Sequence, residues 1–216
     1  MTLILTPQLG RRRFLLGGLA AGGALLVPAV GLAQQRVATP SATAGPFYPP
    51  KLPPDIDNDL VTVRGSERKA LGTVAHVRGR VLNLRGEPVA GAQVEIWQCD
   101  VNGRYLHPGS QGGPRDSAFQ GFGRTLSAAD GSYSFRTIKP VPYSGRTPHI
   151  HFGVAYKGGE LITQMYVADE PLNARDFLYS RIADRRQRDA VTVALQPANG
   201  IEDGALAGTF DIVLSG

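Results

Sequence analysis

The chain has 216 residues, which is enough for one well-buried core or two small domains. Its formal charge is +5, but three of its 23 basic residues stand together at positions 11–13. Without residues 1–33 there remain 20 basic and 18 acidic residues, a net charge of +2, so the composition does not favour nucleic-acid binding. Cys99 is the only cysteine, which excludes an internal disulfide and favours a small buried side chain.

Residues 1–33 predict a cleavable export signal, because three arginines precede an apolar run that is rich in Gly and Ala. The order Arg11-Arg12-x-Phe14-Leu15 resembles a twin-arginine signal. We therefore expect a periplasmic or extracellular protein without stable membrane association after cleavage. An uncleaved membrane anchor is the alternative, although the glycines and Pro28 weaken the run as a transmembrane helix.

Residues 34–60 are rich in Pro, Ala and Thr and keep no helical or strand period, which predicts an extended N-terminal arm. Residues 61–216 alternate short apolar stretches with Gly- and Pro-containing turns. The predicted strands are 74–84, 92–98, 132–137, 149–156, 161–167, 190–195 and 209–214. Only residues 173–188 have helical character, with Asn173 as the candidate N-cap. We therefore predict an all-β catalytic domain, an antiparallel β-sandwich with long connecting loops.

The clearest chemistry lies within residues 142–152. His149 and His151 are two apart on a predicted strand and therefore share one face, while Ile150 and Phe152 share the other. We expect the apolar pair to enter the core and both imidazoles to point outward, under the loops. Two histidines side by side on a strand suit one metal ion with nitrogen ligands.

The class of metal depends on what completes the coordination. A ferrous site requires a carboxylate and a zinc site a further His or Cys, and the sequence clusters neither type with the histidine pair. Tyr143 instead lies six residues before His149, on a loop stiffened by prolines. A phenol keeps its proton to about pH 10, so it suits a trivalent ion, whose charge favours the phenolate. Tyr143 therefore points to Fe(III), and a structural tyrosine in the turn is the alternative.

Several separated segments carry a family resemblance. They are residues 94–105, 121–125, 135–140, 149–152 and 161–166. In this order they resemble the intradiol ring-cleavage dioxygenases. Residues 39–47 also resemble the N-terminal arm of the protocatechuate 3,4-dioxygenase branch of that family.

The resemblance implies a non-haem Fe(III) site held by Tyr105, Tyr143, His149 and His151, together with one solvent ligand. It also implies that Tyr143 leaves when the substrate chelates, and that its phenolate takes a catechol proton. The expected reactants are a small aromatic diol and O2, and the expected product is a muconate-type dicarboxylic acid.

The same resemblance assigns roles around the substrate ring. Arg146 matches an arginine whose fixed guanidinium would stabilise charge on the ring carbon, and Gln164 matches a glutamine near the same ring. The arm residues predicted to line the pocket mouth are Thr43, Gly45, Pro46 and Phe47. We interpret His107 as a loop histidine.

Two further expectations concern assembly and substrate. Unlike subunits share one site in the protocatechuate branch, one giving the arm and the other the iron. This chain has both parts, which predicts a homo-oligomer or a self-sufficient monomer. The mature chain is also short for the helical dimerisation domain of catechol 1,2-dioxygenases, which favours the protocatechuate-like branch. The competing hypotheses are a different His-pair metalloenzyme and a non-catalytic β-sandwich binding module, since many such modules resemble residues 77–92.

Overall fold

Two five-stranded sheets make up most of the computed structural model, which describes residues 36–215. The strands are β1 (Val74–Asn83), β2 (Gln93–Trp97), β3 (Phe122–Leu126), β4 (Ser132–Ile138), β5 (His149–Tyr156), β6 (Gly159–Val167), β7 (Thr192–Val193), β8 (Gln196–Pro197), β9 (Leu206–Thr209) and β10 (Ile212–Leu214). One sheet joins β4, β1, β9, β8 and β10, and the other has the order β3-β2-β5-β6-β7. The predicted all-β sandwich is confirmed, and the predicted export signal lies outside the described residues.

Most strand pairs are antiparallel, but β1 runs parallel to β9 and to β10, and β6 runs parallel to β7. Each of these parallel pairs joins strands separated by a long connection, which is what a parallel pair requires. The sheets are therefore mixed, with an antiparallel majority.

The helix predicted within residues 173–188 is only partly confirmed, and Asn173 does not cap it. The structure has a 3-10 helix at Pro171–Arg175 and a short helix α1 at Arg185–Ala190, and Asp184 caps α1 by accepting hydrogen bonds from two backbone amides. Between these two helices the Asp176 carboxylate accepts hydrogen bonds from the amides of Leu178 and Tyr179. These side-chain hydrogen bonds interrupt the helical backbone there. Within residues 36–215 no helix has the length and apolar character needed to cross a membrane.

The core lies between the sheets and follows the period-2 pattern of the strands. On β5, Ile150, Phe152 and Val154 are all at most 1% exposed and pack with the inward side chains of both sheets. The alternate residues of β5, including both histidines, point to the outer face of the second sheet. Alternate residues of β5 therefore face the core and the candidate site.

The arm covers this outer face. Its backbone joins the edge of β6 where the Ala42 amide donates to the Ile162 carbonyl at 2.7 Å, and it joins β10 where the Thr39 amide donates to the Val213 carbonyl at 3.0 Å. A second apolar cluster forms beneath the arm. Its buried members are Trp97, Cys99, Tyr105 and Phe122, with Phe47, Leu52 and Ile56 packed against them.

Candidate metal centre

The two histidines of β5 are the base of the site. His149 and His151 are each 1% exposed, and their Nε2 atoms lie 3.2 Å apart. Both rings are held from the side: the His151 ring stacks on Trp97 with centroids 4.9 Å apart, and the His149 Nδ1 lies 2.6 Å from the Thr147 carbonyl oxygen. Because a carbonyl can only accept, the His149 Nδ1 carries the hydrogen and its Nε2 presents a lone pair.

Both imidazoles are neutral at ordinary pH. Burial, followed by the nearby charge of Arg146, lowers the pKa of His149 to about 4. Burial, followed by the proximity of His149, places the pKa of His151 well below its usual value. Since a neutral imidazole is the form that binds a metal, the fold keeps the pair ready for one.

Tyr105 enters the site from the loop that follows β2. The loop is organised by Asp100, whose carboxylate accepts from the amides of Asn102, Arg104 and Asp116 at 2.7–3.0 Å. Tyr105 is 1% exposed, and its hydroxyl has no hydrogen-bond partner among residues 36–215. Burial raises the pKa of this phenol well above 10, so it is protonated unless a cation compensates.

Tyr143 is presented by a tight turn. Ser144 and Gly145 have φ values of +43° and +78°, and the Arg146 amide donates to the Tyr143 carbonyl at 2.8 Å, as in a type I′ turn. The Tyr143 ring lies 4.9 Å from that of Tyr105 and 5.4 Å from that of His149. Tyr143 is the only half-buried member of the four predicted ligands, while the other three are buried.

The same turn places Arg146 beside the four rings. Its Nε donates to the Asp176 carboxylate at 2.7 Å and one of its terminal nitrogens donates to the Gln164 Oε1 at 2.8 Å. The Tyr166 hydroxyl also donates to this Gln164 oxygen, and the Gln164 amide nitrogen donates to the Thr43 carbonyl. A single network therefore fixes the guanidinium next to the histidines.

Asp176 is the functional candidate that the sequence did not reveal. Its side chain is fully buried, and besides Arg146 it holds the amide of Thr147 at 3.0 Å. Asn173, predicted as a helix cap, is instead buried and bridges the Thr147 hydroxyl to the Val167 carbonyl. Both residues lie about thirty positions from the turn that they support, so no local pattern signals them.

The arm residues approach the site to different degrees. Gly45, with φ of +68°, lies against His151, where a Cβ would stand 3.5 Å from the imidazole Cε1. The Phe47 ring stacks on Tyr105 at 5.2 Å and lies 6.1 Å from Tyr143. Thr43 reaches the site through its carbonyl, and Pro46 is exposed. His107 borders Phe47 at 5.7 Å, and its Nδ1 accepts the Gly109 amide within its own loop.

The donor set fits a trivalent metal ion. It offers two neutral imidazoles and two phenols, one of which has a buried hydroxyl without a partner in the described part of the chain. No group of three or more His, Cys, Asp and Glu side chains within residues 36–215 is placed to hold a metal ion. The metal coordination that the two histidines begin is therefore not completed by a carboxylate or a further histidine. A hard, highly charged ion would instead stabilise the two tyrosines as phenolates.

The sequence of this chain is similar to those of known dioxygenases. The family profile described as Dioxygenase (Dioxygenase_C) matches residues 43–216. The protocatechuate 3,4-dioxygenase beta chain of Burkholderia cepacia is 37% identical over 171 residues, which cover 74% of this chain and 72% of that one. The catechol 1,2-dioxygenase of Candida albicans is 33% identical over 168 residues, and here the match spans about half of the relative, 53% of its length.

A solved structure extends the agreement to the fold. The dioxygenase domain of a dioxygenase–carbohydrate-binding protein fusion from Streptomyces sp. SirexAA-E superposes with a TM-score of 0.64 at 31% identity, covering 83% of this chain and 99% of that domain. The shared fold, the profile match and the similarity to the Burkholderia chain lead to one conclusion. This chain belongs to the intradiol ring-cleaving dioxygenase family.

Proposed function

We propose that this protein uses non-haem Fe(III) and O2 to open the ring of a catechol-type substrate between its two hydroxylated carbons, giving a muconate-type dicarboxylic acid. The observation that carries the proposal is the meeting of two neutral histidines and two phenols around one point, without a carboxylate beside them. Tyr105, Tyr143, His149 and His151 would hold the ion. Bound Fe(III) would supply the Lewis acidity that makes a chelated catecholate reactive toward O2.

Tyr143 is the donor best placed to make room for a substrate. It is the most exposed of the four, and it stands at the start of a tight turn that the Arg146 amide closes on the Tyr143 carbonyl. When Tyr143 moves aside, its oxygen can take a proton from a catechol hydroxyl. Tyr105, His149 and His151 are each only 1% exposed.

Arg146 acts on the ring itself in this proposal. Its guanidinium is fixed by Asp176 on one side and Gln164 on the other, so it needs no reorganisation when negative charge develops on the ring carbon. Gln164 orients Arg146 and ties it to the arm through Thr43. The arm and the ring-binding residues thus act as one unit.

The substrate is proposed to be protocatechuate or a related catechol. The Burkholderia relative carries the name protocatechuate 3,4-dioxygenase, and this chain covers more of it than of the catechol dioxygenase from Candida. One chain supplies both the arm and the four donors, which supports a site complete within each subunit of a monomer or homo-oligomer. Measuring kcat/KM for catechol, protocatechuate and hydroxyquinol would rank the three substrates.

The iron itself can be tested by colour. Protein purified after growth with ample iron is expected to be reddish, from charge transfer between tyrosinate and Fe(III), and to contain about one iron per chain. Visible absorption and elemental analysis measure both quantities on one sample. Stripping the iron with a chelator should remove colour and ring opening together. A colourless, iron-free preparation would contradict the proposal and favour a binding module.

We also propose that the protein is exported through the twin-arginine route. The support is the Arg11-Arg12-x-Phe14-Leu15 order, and a route for folded proteins would allow iron to be loaded before export. Replacing Arg11 and Arg12 with lysine should leave the precursor inside the cell, whereas Arg13→Lys should not. Fractionation and immunoblotting give the readout, and undiminished export of the double variant would argue against this route.

A further inference from the structure

A cavity of about 810 Å³ lies outside the candidate metal centre. It is bounded by arm residues 50–55, by the loop 104–108 and by the loop 115–120. Of the four candidate metal ligands only Tyr105 contributes to its lining, and neither Arg146 nor Gln164 does. The cavity is therefore separate from the face on which Arg146 acts, although it adjoins one ligand.

The walls of this cavity are largely apolar. Leu52, Val63, Leu106 and Phe119 line it, together with four prolines of the arm and the loops. Its volume is within the range of about 300–1,000 Å³ that is usual for small-molecule sites. The volume and the lining suit an apolar body of one or two rings.

The charged residues of the cavity are mostly cationic. Lys51, Arg64, Arg104 and Arg115 line it, against a single carboxylate, that of Asp55. Asp55 already accepts a hydrogen bond from the Arg64 amide at 2.8 Å and lies 3.6 Å from the Arg64 guanidinium. Within residues 36–215 no carboxylate lies within ion-pair distance of Lys51, Arg104 or Arg115. A ligand anion would therefore meet positive charge that the protein does not neutralise.

One polar side chain of the lining also lacks a full set of partners. Gln120 is 2% exposed, and its amide nitrogen donates to the Phe122 carbonyl at 2.8 Å, which fixes the orientation of the amide. Its Oε1 has no hydrogen-bond partner in the part of the chain that the structure describes. A carboxylate ligand has no hydrogen to donate, so this oxygen would be satisfied by a water molecule rather than by the ligand.

We propose that this cavity is a second binding site, for a small aromatic carboxylate. The ring packs against Leu52 and Phe119, and the carboxylate meets Lys51 and Arg115 at the exposed rim. A neutral aromatic of the same size gains only the apolar contact, and an aromatic cation is repelled. The proposal stands on the cavity alone and does not depend on the ring-opening reaction.

The test uses a fluorescent probe that has no hydroxyl group, 2-naphthoate, with 2-naphthamide as its uncharged counterpart. Titration of the purified full-length mature protein is expected to show 2-naphthoate binding at least about tenfold more tightly than 2-naphthamide, and less tightly as salt is raised. The double variant Lys51→Ala/Arg115→Ala should weaken 2-naphthoate binding at least about tenfold and leave that of 2-naphthamide nearly unchanged. Both side chains are exposed, so the fold should tolerate their loss.

Two further variants locate the probe. Arg185→Ala/Arg186→Ala removes the same amount of charge from the exposed face of α1 and should leave the affinity unchanged. Ser117→Trp, which fills the cavity from its exposed side, should abolish binding of both probes.

Three results would overturn the proposal: equal affinity for the two probes, indifference to Lys51→Ala/Arg115→Ala, or displacement of 2-naphthoate by saturating catechol, which would place it at the metal centre. Colour and ring opening of the wild-type protein are measured separately. Failure of the second site is thus distinguishable from failure of the proposed function.

Discussion

Replacing Tyr105 with phenylalanine is expected to remove most of the visible colour and most of the bound iron without destabilising the metal-free protein. The substitution deletes one oxygen atom, and that oxygen is buried with no hydrogen-bond partner in residues 36–215. A buried hydroxyl without a partner costs about 1–3 kcal/mol, so its removal leaves the free energy of unfolding equal or higher. The loss of one anionic donor should lower the affinity for Fe(III) by orders of magnitude.

Tyr133 provides the matched control. It is also buried, but its hydroxyl donates to the Phe210 carbonyl within one sheet. Tyr133→Phe should therefore lower the free energy of unfolding by about 1–2 kcal/mol while colour and iron content persist. Urea denaturation of the metal-free proteins and iron analysis of the loaded ones measure the two effects independently. If Tyr105→Phe kept its colour, Tyr105 would have to be removed from the ligand set.

Replacing Asp176 with alanine is expected to have the largest effect on stability. Asp176 is fully buried and accepts from Arg146 and from the amides of Thr147, Leu178 and Tyr179. Its loss leaves a nearly buried guanidinium without its partner, a change that typically costs about 3–5 kcal/mol. Asp189→Ala is the control, because its pair with Arg185 is exposed on both sides and should contribute less than about 0.5 kcal/mol.

The milder Asp176→Asn separates positioning from folding. Its amide keeps the shape of the side chain but weakens the hold on Arg146, so we expect kcat to fall at least about tenfold with little change in KM for the preferred catechol. A purely structural role would instead reduce the amount of folded enzyme and leave its kcat unchanged. Equal kcat values for folded wild-type and Asp176→Asn protein would show that Arg146 does not need Asp176 for catalysis.

The fold was predictable where a strand alternates between apolar and polar residues. The bounds of β5 agree with the prediction, and β1, β2, β4 and β6 agree within two residues at each end. β3 was not predicted, because Phe122–Leu126 has one large apolar residue at each end and a glycine and two polar residues between them. The segment predicted as one strand over residues 209–214 divides into β9 and β10 at Phe210, whose amide and carbonyl turn toward Arg78 and Tyr133.

The candidate site was predictable to the extent that its chemistry is local. His149 and His151 follow from strand geometry, and the turn at Gly145 brings Tyr143 and Arg146 together. Tyr105 was predicted only from the resemblance, because no spacing rule joins it to Tyr143, His149 and His151, which lie about forty positions away. Neither local geometry nor the resemblance predicted Asp176, because an isolated acidic residue in a loop gives no sign that it will be buried beneath an arginine.

The division of β5 between two faces has a consequence for how this protein can change over time. Its core-facing side chains and those that face the candidate metal centre occupy interleaved positions of one strand, so one set can be substituted separately from the other. Mutation can therefore explore new donor atoms while the packing that holds the backbone stays intact. An insertion of one residue between His149 and His151 has the opposite effect, because it would send the two imidazoles to opposite faces of the strand. The strand is tolerant of replacement and intolerant of a change in length.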